Sequence, residues 1–361
     1  MPTIQIDALD TLFFRDSKTF TKGEDTWADT MFPPYPSVIY GALRSAYFAE
    51  NIEELGKAAE NDDPTKDLKI NNIYLKQGED LYFPYPMDCV ENKETKDKEI
   101  LEPKEKFLSG KHTNLNGMKD LLQSSFYTAE TVKDSFVSSS SLKEYLTLED
   151  KSPIAHKKSD FIELEPKIGI ARSKQTRTSE EGMLYRVGMN RLESKLKENK
   201  TNKISLVVNF EGLKVKDGIM KMGGEGKAIR YETINDSIKI ELPKISNGKF
   251  KLYLSTPAIF KKGWLPDSFD KNSLEGTING VKVKLITAAI GKPVSIGGWD
   301  IKKGCPKTMR KAVPAGSVYY FKLTNPEDID KLLSNCHGKS ISDFNANEGF
   351  GIAYVGAINN A

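Results

Sequence analysis

The chain has 361 residues, with 53 Lys and Arg, 50 Asp and Glu, 3 His, 3 Cys and 38% hydrophobic residues. That length suggests two domains at roughly 150 residues each, and the composition excludes a collagen-like, disulfide-framework or wholly disordered chain. The net charge of +3 conceals an asymmetry: residues 1–150 hold 17 basic and 28 acidic side chains, residues 151–231 hold 18 and 10, and residues 244–322 hold 15 and 4.

Residues 3–6 read as a first strand, and 37–48 as a helix with Ile39, Ala42, Leu43, Ala46 and Tyr47 on one stripe behind Pro36. Strands around 73–75 and 81–83 follow, joined by Gln77–Asp80 as a turn. Residues 91–106 alternate acids with lysines, and 138–141 is a serine run. Both read as exposed, mobile insertions. Ile162, Leu164, Ile168 and Ile170, with 183–187 as the returning arm, outline a long hairpin, and 204–210 a half-buried strand.

A second unit begins near 244. Phe250, Leu252 and Leu254 alternate with Lys249, Lys251, Tyr253 and Ser255, which places the lysines and the ring on one sheet face. Val281, Val283 and Leu285 alternate with Lys282 and Lys284 in the same way. A strand at 316–323, a helix at 326–335 and a buried strand at 350–358 complete the chain. The expected fold is α+β: two ferredoxin-like βαββαβ domains, 1–243 and 244–361, with a protruding β-hairpin and long insertions between about 88 and 200. The second helix of the first half has the weakest pattern.

The opening MPTIQIDALD carries two acids and no apolar run, so no secretory leader is expected. No stretch approaches the roughly 20 apolar residues of a membrane span. Cys89, Cys305 and Cys336 read as reduced thiols of a cytosolic protein. His112, His156 and His337 are isolated; His156, beside Lys157 and Lys158, is the one that would suit a general base on RNA, although a lone loop histidine is more often a surface residue. The sequence has no metal-ligand spacing, phosphate loop or nucleophile elbow, so neither metal nor cofactor is expected.

Binding candidates are better supported. The loop Asp10–Asp16 carries Phe13, Phe14 and Arg15, and Ser37, Tyr40, Gly41 and Arg44 share a helix face that suits a phosphate with its base. Close helix–sheet packing is the competing account of Tyr40 and Gly41. The tip around Arg172, Lys174 and Arg177 has no core to serve. Gly223, Gly224 and Gly226 permit close backbone approach with amides open to an anion, followed by Lys227 and Arg230. Trp264 beside Lys261 and Lys262, and Trp299 beside Lys302, Lys303 and Lys307, place rings among cations, as single-stranded nucleic-acid platforms do. Trp more often anchors a core.

Taken together, LDTLFFRD (9–16), the Pro36–Arg44 helix start, EPKIGIARSKQTRT (165–178), GGEG (223–226), STPAIFKKGW (255–264), KPVSIGGWDIKKGCPK (292–307), VPAGSVYYF (313–321) and the loop with Gly349, Gly351 and Gly356 resemble one family across nearly the whole chain. This is the third-subunit family of the Cmr effector complex of type III-B CRISPR systems, within the RAMP superfamily. Only four residues separate Gly351 from Gly356, a tighter spacing than the superfamily's glycine-rich loop. The resemblance implies a non-catalytic RNA-binding subunit with RRM-related domains. It would hold the 5′ tag of the CRISPR RNA, contact RNA at Gly349 and Gly351, dock the large polymerase-like subunit and touch a backbone RAMP subunit. It would meet target RNA only indirectly and no membrane. The rival readings are a RAMP endoribonuclease using His156 or His112, and a protein–protein adaptor whose lysines only solubilise it.

Overall fold

The computed structural model describes residues 2–15, 27–28, 30–105, 120–149, 152–173, 175–193, 203–235, 240–300 and 304–359. In the first half, β1 (Thr3–Ala8) is followed by α1 (Pro36–Glu50), β2 (Lys69–Gln77) and β3 (Asp80–Pro84). After an insertion come α2 (Ser139–Thr147), the hairpin strands β4 (Ile162–Arg172) and β5 (Ser179–Leu192), then β6 (Ile204–Glu211), β7 (Gly218–Lys221) and β8 (Ala228–Ile234). The second half contains β9 (Lys249–Leu254), β10 (Val281–Ala289), β11 (Val318–Leu323), α3 (Ile329–Cys336) and β12 (Ile352–Gly356).

Helix α1 starts where Pro36 supplies a pre-set φ and needs no N–H partner. Its Ile39, Leu43 and Ala46 pack against Ile4 and Ile6 of β1 and Leu206 and Val208 of β6. The first sheet contains the consecutive antiparallel run β3-β2-β6-β1-β8-β7, and the second the run β10-β11-β9-β12. In each, the strand next to the first is the third, the 4-1-3-2 order of a βαββαβ unit. The expected pair of helices per half is corrected. Among the described residues no helix joins β6 to β8, and no helix joins β9 to β10. The cause is local: Gly218, Gly223, Gly224 and Gly226 break the first stretch, and Pro257, Gly263 and Pro266 the second. β7 takes the vacant place in the first half, and α1 packs beside it.

The faces of the two sheets away from α1 and α3 meet each other. Tyr74, Phe83 and Val207 from the first pack with Tyr253, Val318, Tyr320 and Tyr354 from the second, and α2 adds Leu142, Tyr145 and Leu146. The alternation expected for 249–255 holds, but its lysine-and-ring face points into this interface: Lys251 is 1% exposed and Tyr253 is fully buried.

The mobile insertion expected at 91–106 is also corrected for its described part. Strands 89–92, 98–100 and 129–131 form one small sheet, and 102–105 pairs with 120–123. Alternating charges there mark strand edges facing water rather than disorder. The serine run starts α2, with the Ser138 hydroxyl accepting the Ser141 N–H at 3.3 Å as an N-cap. The long hairpin forms as expected, in register from Ile162↔Leu192 to Ile170↔Leu184. A second hairpin, 294–296 with 310–312, extended by 299–300 with 305–306, was not foreseen. Among the described residues no helix is long and apolar enough to cross a membrane.

Candidate nucleic-acid interface

Loop 9–15 lies between the root of the long hairpin and the glycine turn. Leu12 exchanges backbone hydrogen bonds of 2.8 and 2.7 Å with Asn190 of β5, and Phe13 packs on Val187 and Met189. The Gly224 N–H donates to the Phe13 carbonyl at 2.8 Å. A Cβ at Gly223, whose φ is +81°, would come within 2.4 Å of that same carbonyl. The close approach expected of these glycines is therefore to Phe13, and the Gly224 amide is already taken. Gly226 has open space around it.

Charges ring this junction in pairs. Lys227 Nζ lies 2.5 Å from Asp10 Oδ2, Lys167 Nζ lies 3.0 Å from Glu225 Oε2, and Arg191 pairs with Glu165. The Lys227 hydrogen bond holds the Asp10 carboxyl below its usual range. At the hairpin tip, the Arg172 guanidinium donates to the Arg177 carbonyl at 3.0 and 2.9 Å. The side chains of Arg177, Arg15 and Arg230 are exposed, and none pairs with a carboxylate among the described residues.

A second group forms on α1. Arg44 donates to Thr65 Oγ1 at 2.7 Å and Asp63 Oδ2 at 2.5 Å, and its guanidinium carbon sits 6.0 Å from the Tyr40 ring centroid. Burial raises the Tyr40 phenol above its ordinary value. Glu348, across the junction between halves, feels both Arg44 and Lys307, and burial pushes its carboxyl up. Ser37 is half-buried, while Gly41 is exposed with nothing near a would-be Cβ, so close packing does not explain it. Gly349 does have a packing reason: at φ +95°, a Cβ would meet Ile70 at 2.9 Å. Gly351 donates its N–H to the Pro257 carbonyl at 2.7 Å, so that amide is not open to a phosphate.

Lys174, Lys302 and Lys303 lie outside the described residues, as does His112. Trp299 is placed only by its backbone, in the second hairpin. Trp264 is half-buried against the second core, and its carbonyl accepts the Tyr319 hydroxyl at 2.6 Å, the anchoring role typical of Trp. His156 packs edge-on to Tyr82 and Phe161, and burial lowers its pKa. His337 is pinned, with Nδ1 accepting the Val355 N–H at 3.3 Å and Nε2 lying 3.0 Å from the Ile240 carbonyl. What the sequence reading missed is the acidic partners Asp10, Asp63, Glu165, Glu225 and Glu348; nothing in their spacing announces them.

The sequence matches the family model described as CRISPR-associated protein (Cas_Cmr3) over residues 4–357. The chain belongs to this family. Two solved chains are similar to the Cmr3-family chain. One, described as the Type III-B Cmr-beta bound to cognate target RNA, has 18% identity, covers 88% of this chain and 86% of its own, and has a TM-score of 0.53. The other, described in the same words with AMPPnP in state 1, has 19% identity, coverages of 91% and 88%, and a TM-score of 0.52. At those identities the likeness speaks to fold alone. No curated protein matches the sequence. Membership of the Cmr3 family identifies a CRISPR-associated Cmr-type subunit with a mixed α+β, mainly antiparallel architecture.

Proposed function

We propose that this Cmr3-family subunit holds the 5′ tag of a CRISPR RNA, docks the large polymerase-like subunit and a backbone RAMP subunit, and does no chemistry itself. On this reading each half is a ferredoxin-like, RRM-related unit that has kept one of its two helices. The observation that carries the reading is the projecting hairpin with Arg177 at its tip, together with exposed Arg15 and Arg230, three cations that pair with no carboxylate among the described residues. The similar solved chains belong to assemblies described as bound to cognate target RNA, which supports the same partner class. Phosphate neutralisation by such cations positions a strand, while splayed bases are read in pockets.

The test is tagged-RNA binding by the Arg177→Ala, Arg230→Ala double variant across a salt series. Losing two phosphate contacts on a single strand should flatten the slope of log K against log salt by about 1.4. An unchanged affinity and slope would remove the assignment. Repeat RNA incubated with the protein in chelator should stay intact; cleavage that disappears in His156→Ala would establish the ribonuclease reading instead.

A further inference from the structure

The small sheet inserted between β3 and α2 carries a turn, Ser124–Thr128, that is fixed with unusual thoroughness. The Glu99 carboxylate accepts the Ser124 hydroxyl, the Ser125 backbone N–H at 2.8 Å and the Ser125 hydroxyl at 2.5 Å. Burial acts to raise the Glu99 pKa, but these serine donors outweigh it and hold the carboxyl below its usual range. The Ser124 hydroxyl oxygen accepts the Phe126 N–H at 2.9 Å. Thr128 is tied to the neighbouring turn through its carbonyl, which accepts the Lys93 N–H at 2.9 Å, and its hydroxyl, which donates to Asn92 Oδ1 at 3.3 Å.

What this scaffold presents is Tyr127. Phe126 is half-buried, whereas Tyr127 is 103% exposed and has no hydrogen bond or ring contact among the described residues. A ring held in water contributes nothing to the core. A ring on a turn already ordered loses little further entropy when a partner covers it, and Tyr is among the side chains that dominate interface energies. Residues 89–105 and 120–134, which form this inserted unit, carry nine carboxylates against five lysines, and one of those lysines, Lys96, is already paired with Glu91 at 3.1 Å and Glu130 at 3.6 Å, so the unit around the ring is net acidic. Platforms for single-stranded nucleic acid interleave rings with cations; this tip has the opposite charge.

We infer that Tyr127 is a docking anchor for another protein subunit, one that offers a ring-sized apolar pocket rimmed by Lys or Arg. The inference rests on the reading that the chain works within a multisubunit effector. Glu99 is the positioning residue, since it touches the turn and not the partner.

The experiment is reconstitution of the full-length chain with the remaining subunits of its Cmr complex, with binding to each subunit and to tagged RNA measured in parallel. Tyr127→Ala should weaken association with one subunit about tenfold or more, with the thermal midpoint and RNA affinity unchanged. Tyr127→Trp should restore association, and Glu99→Gln should weaken it to a smaller extent by loosening the turn. Wild-type association with every subunit retained in Tyr127→Ala would overturn the inference while leaving the RNA-binding reading intact. Loss of RNA affinity with assembly unchanged would overturn it in favour of a base-stacking ring. A wild-type chain that joins no complex would remove the underlying reading instead.

Discussion

Arg44 is held by the loop that follows its own helix, and this decides what its removal would do. Asp63 is almost fully buried and accepts N–H and O–H donors from Ala59 and Thr65 as well as the guanidinium. Burial acts to raise its pKa, but Thr65, Ala59 and the Arg44 charge prevail and keep the carboxyl below its ordinary range. Arg44→Ala should therefore lower unfolding stability by about 1–2 kcal/mol, read from urea midpoints near pH 7. A carboxyl depressed in the fold contributes stability above its unfolded pKa near 4 and loses it as pH falls through the lower folded value. The difference between variant and wild type should accordingly shrink in acid; a difference that is absent at neutral pH would show that Arg44 is not a structural tether. At this scale the sequence reveals residue types well and partners poorly. The cations at 44 and 227 were conspicuous, yet Asp63 and Asp10 lie 19 and 217 residues from them and meet them only through the fold.

Elements were more legible than partners wherever a strong period exists. α1 follows from its apolar stripe, and β10 from the alternation of Val281, Val283 and Leu285 with exposed Lys282 and Lys284. The helix missing from the first half was partly legible in its weak pattern, but the one missing from the second was not, because the two halves imitate a symmetric plan that each completes differently: β7 and its turn replace one helix, and a Pro- and Gly-broken loop replaces the other. The long hairpin was readable from its apolar residues, although these proved to be outward-facing: Leu164, Ile168 and Ile170 are 52–60% exposed. Such a projecting element should be separable from stability. Replacing residues 173–178 with an Asn-Gly turn keeps the register that pairs Arg172 with Ser179. Unfolding free energy should stay within about 0.5 kcal/mol of wild type, while tagged-RNA affinity and its salt dependence both fall. Retained RNA binding in this variant would assign the hairpin to another partner.

Across the whole molecule, the two halves are joined by a buried polar knot set among tyrosines. Asp88, fully buried, accepts the Tyr145 hydroxyl at 2.8 and 2.7 Å and the Tyr320 hydroxyl at 2.6 Å. Lys251 is buried in the same interface, its Nζ 3.3 Å from the Tyr145 ring centroid, and Gly356 leaves the room its chain needs, since a Cβ there would meet Lys251 at 3.0 Å. Burial lowers the Lys251 pKa, and attraction to Asp88 only partly opposes that. Because the unfolded chain holds the Lys251 proton more tightly than the folded one, stability should rise as pH climbs from the depressed folded value toward about 10.4. Above about pH 10 the buried phenols, raised by burial, reverse the slope, since their contribution is lost as they ionise. Asp88→Asn removes the carboxylate that attracts Lys251 and accepts the Tyr145 and Tyr320 hydroxyls, and should cost about 3–5 kcal/mol. In the double variant Asp88→Asn, Lys251→Met the charge is gone, so much of that loss should return, and the rise in urea midpoint between pH 7 and 10 should be absent. If the single and double variants were equally stable, the knot would act through shape and hydrogen bonds alone, and the buried charge would have no part in holding the halves together.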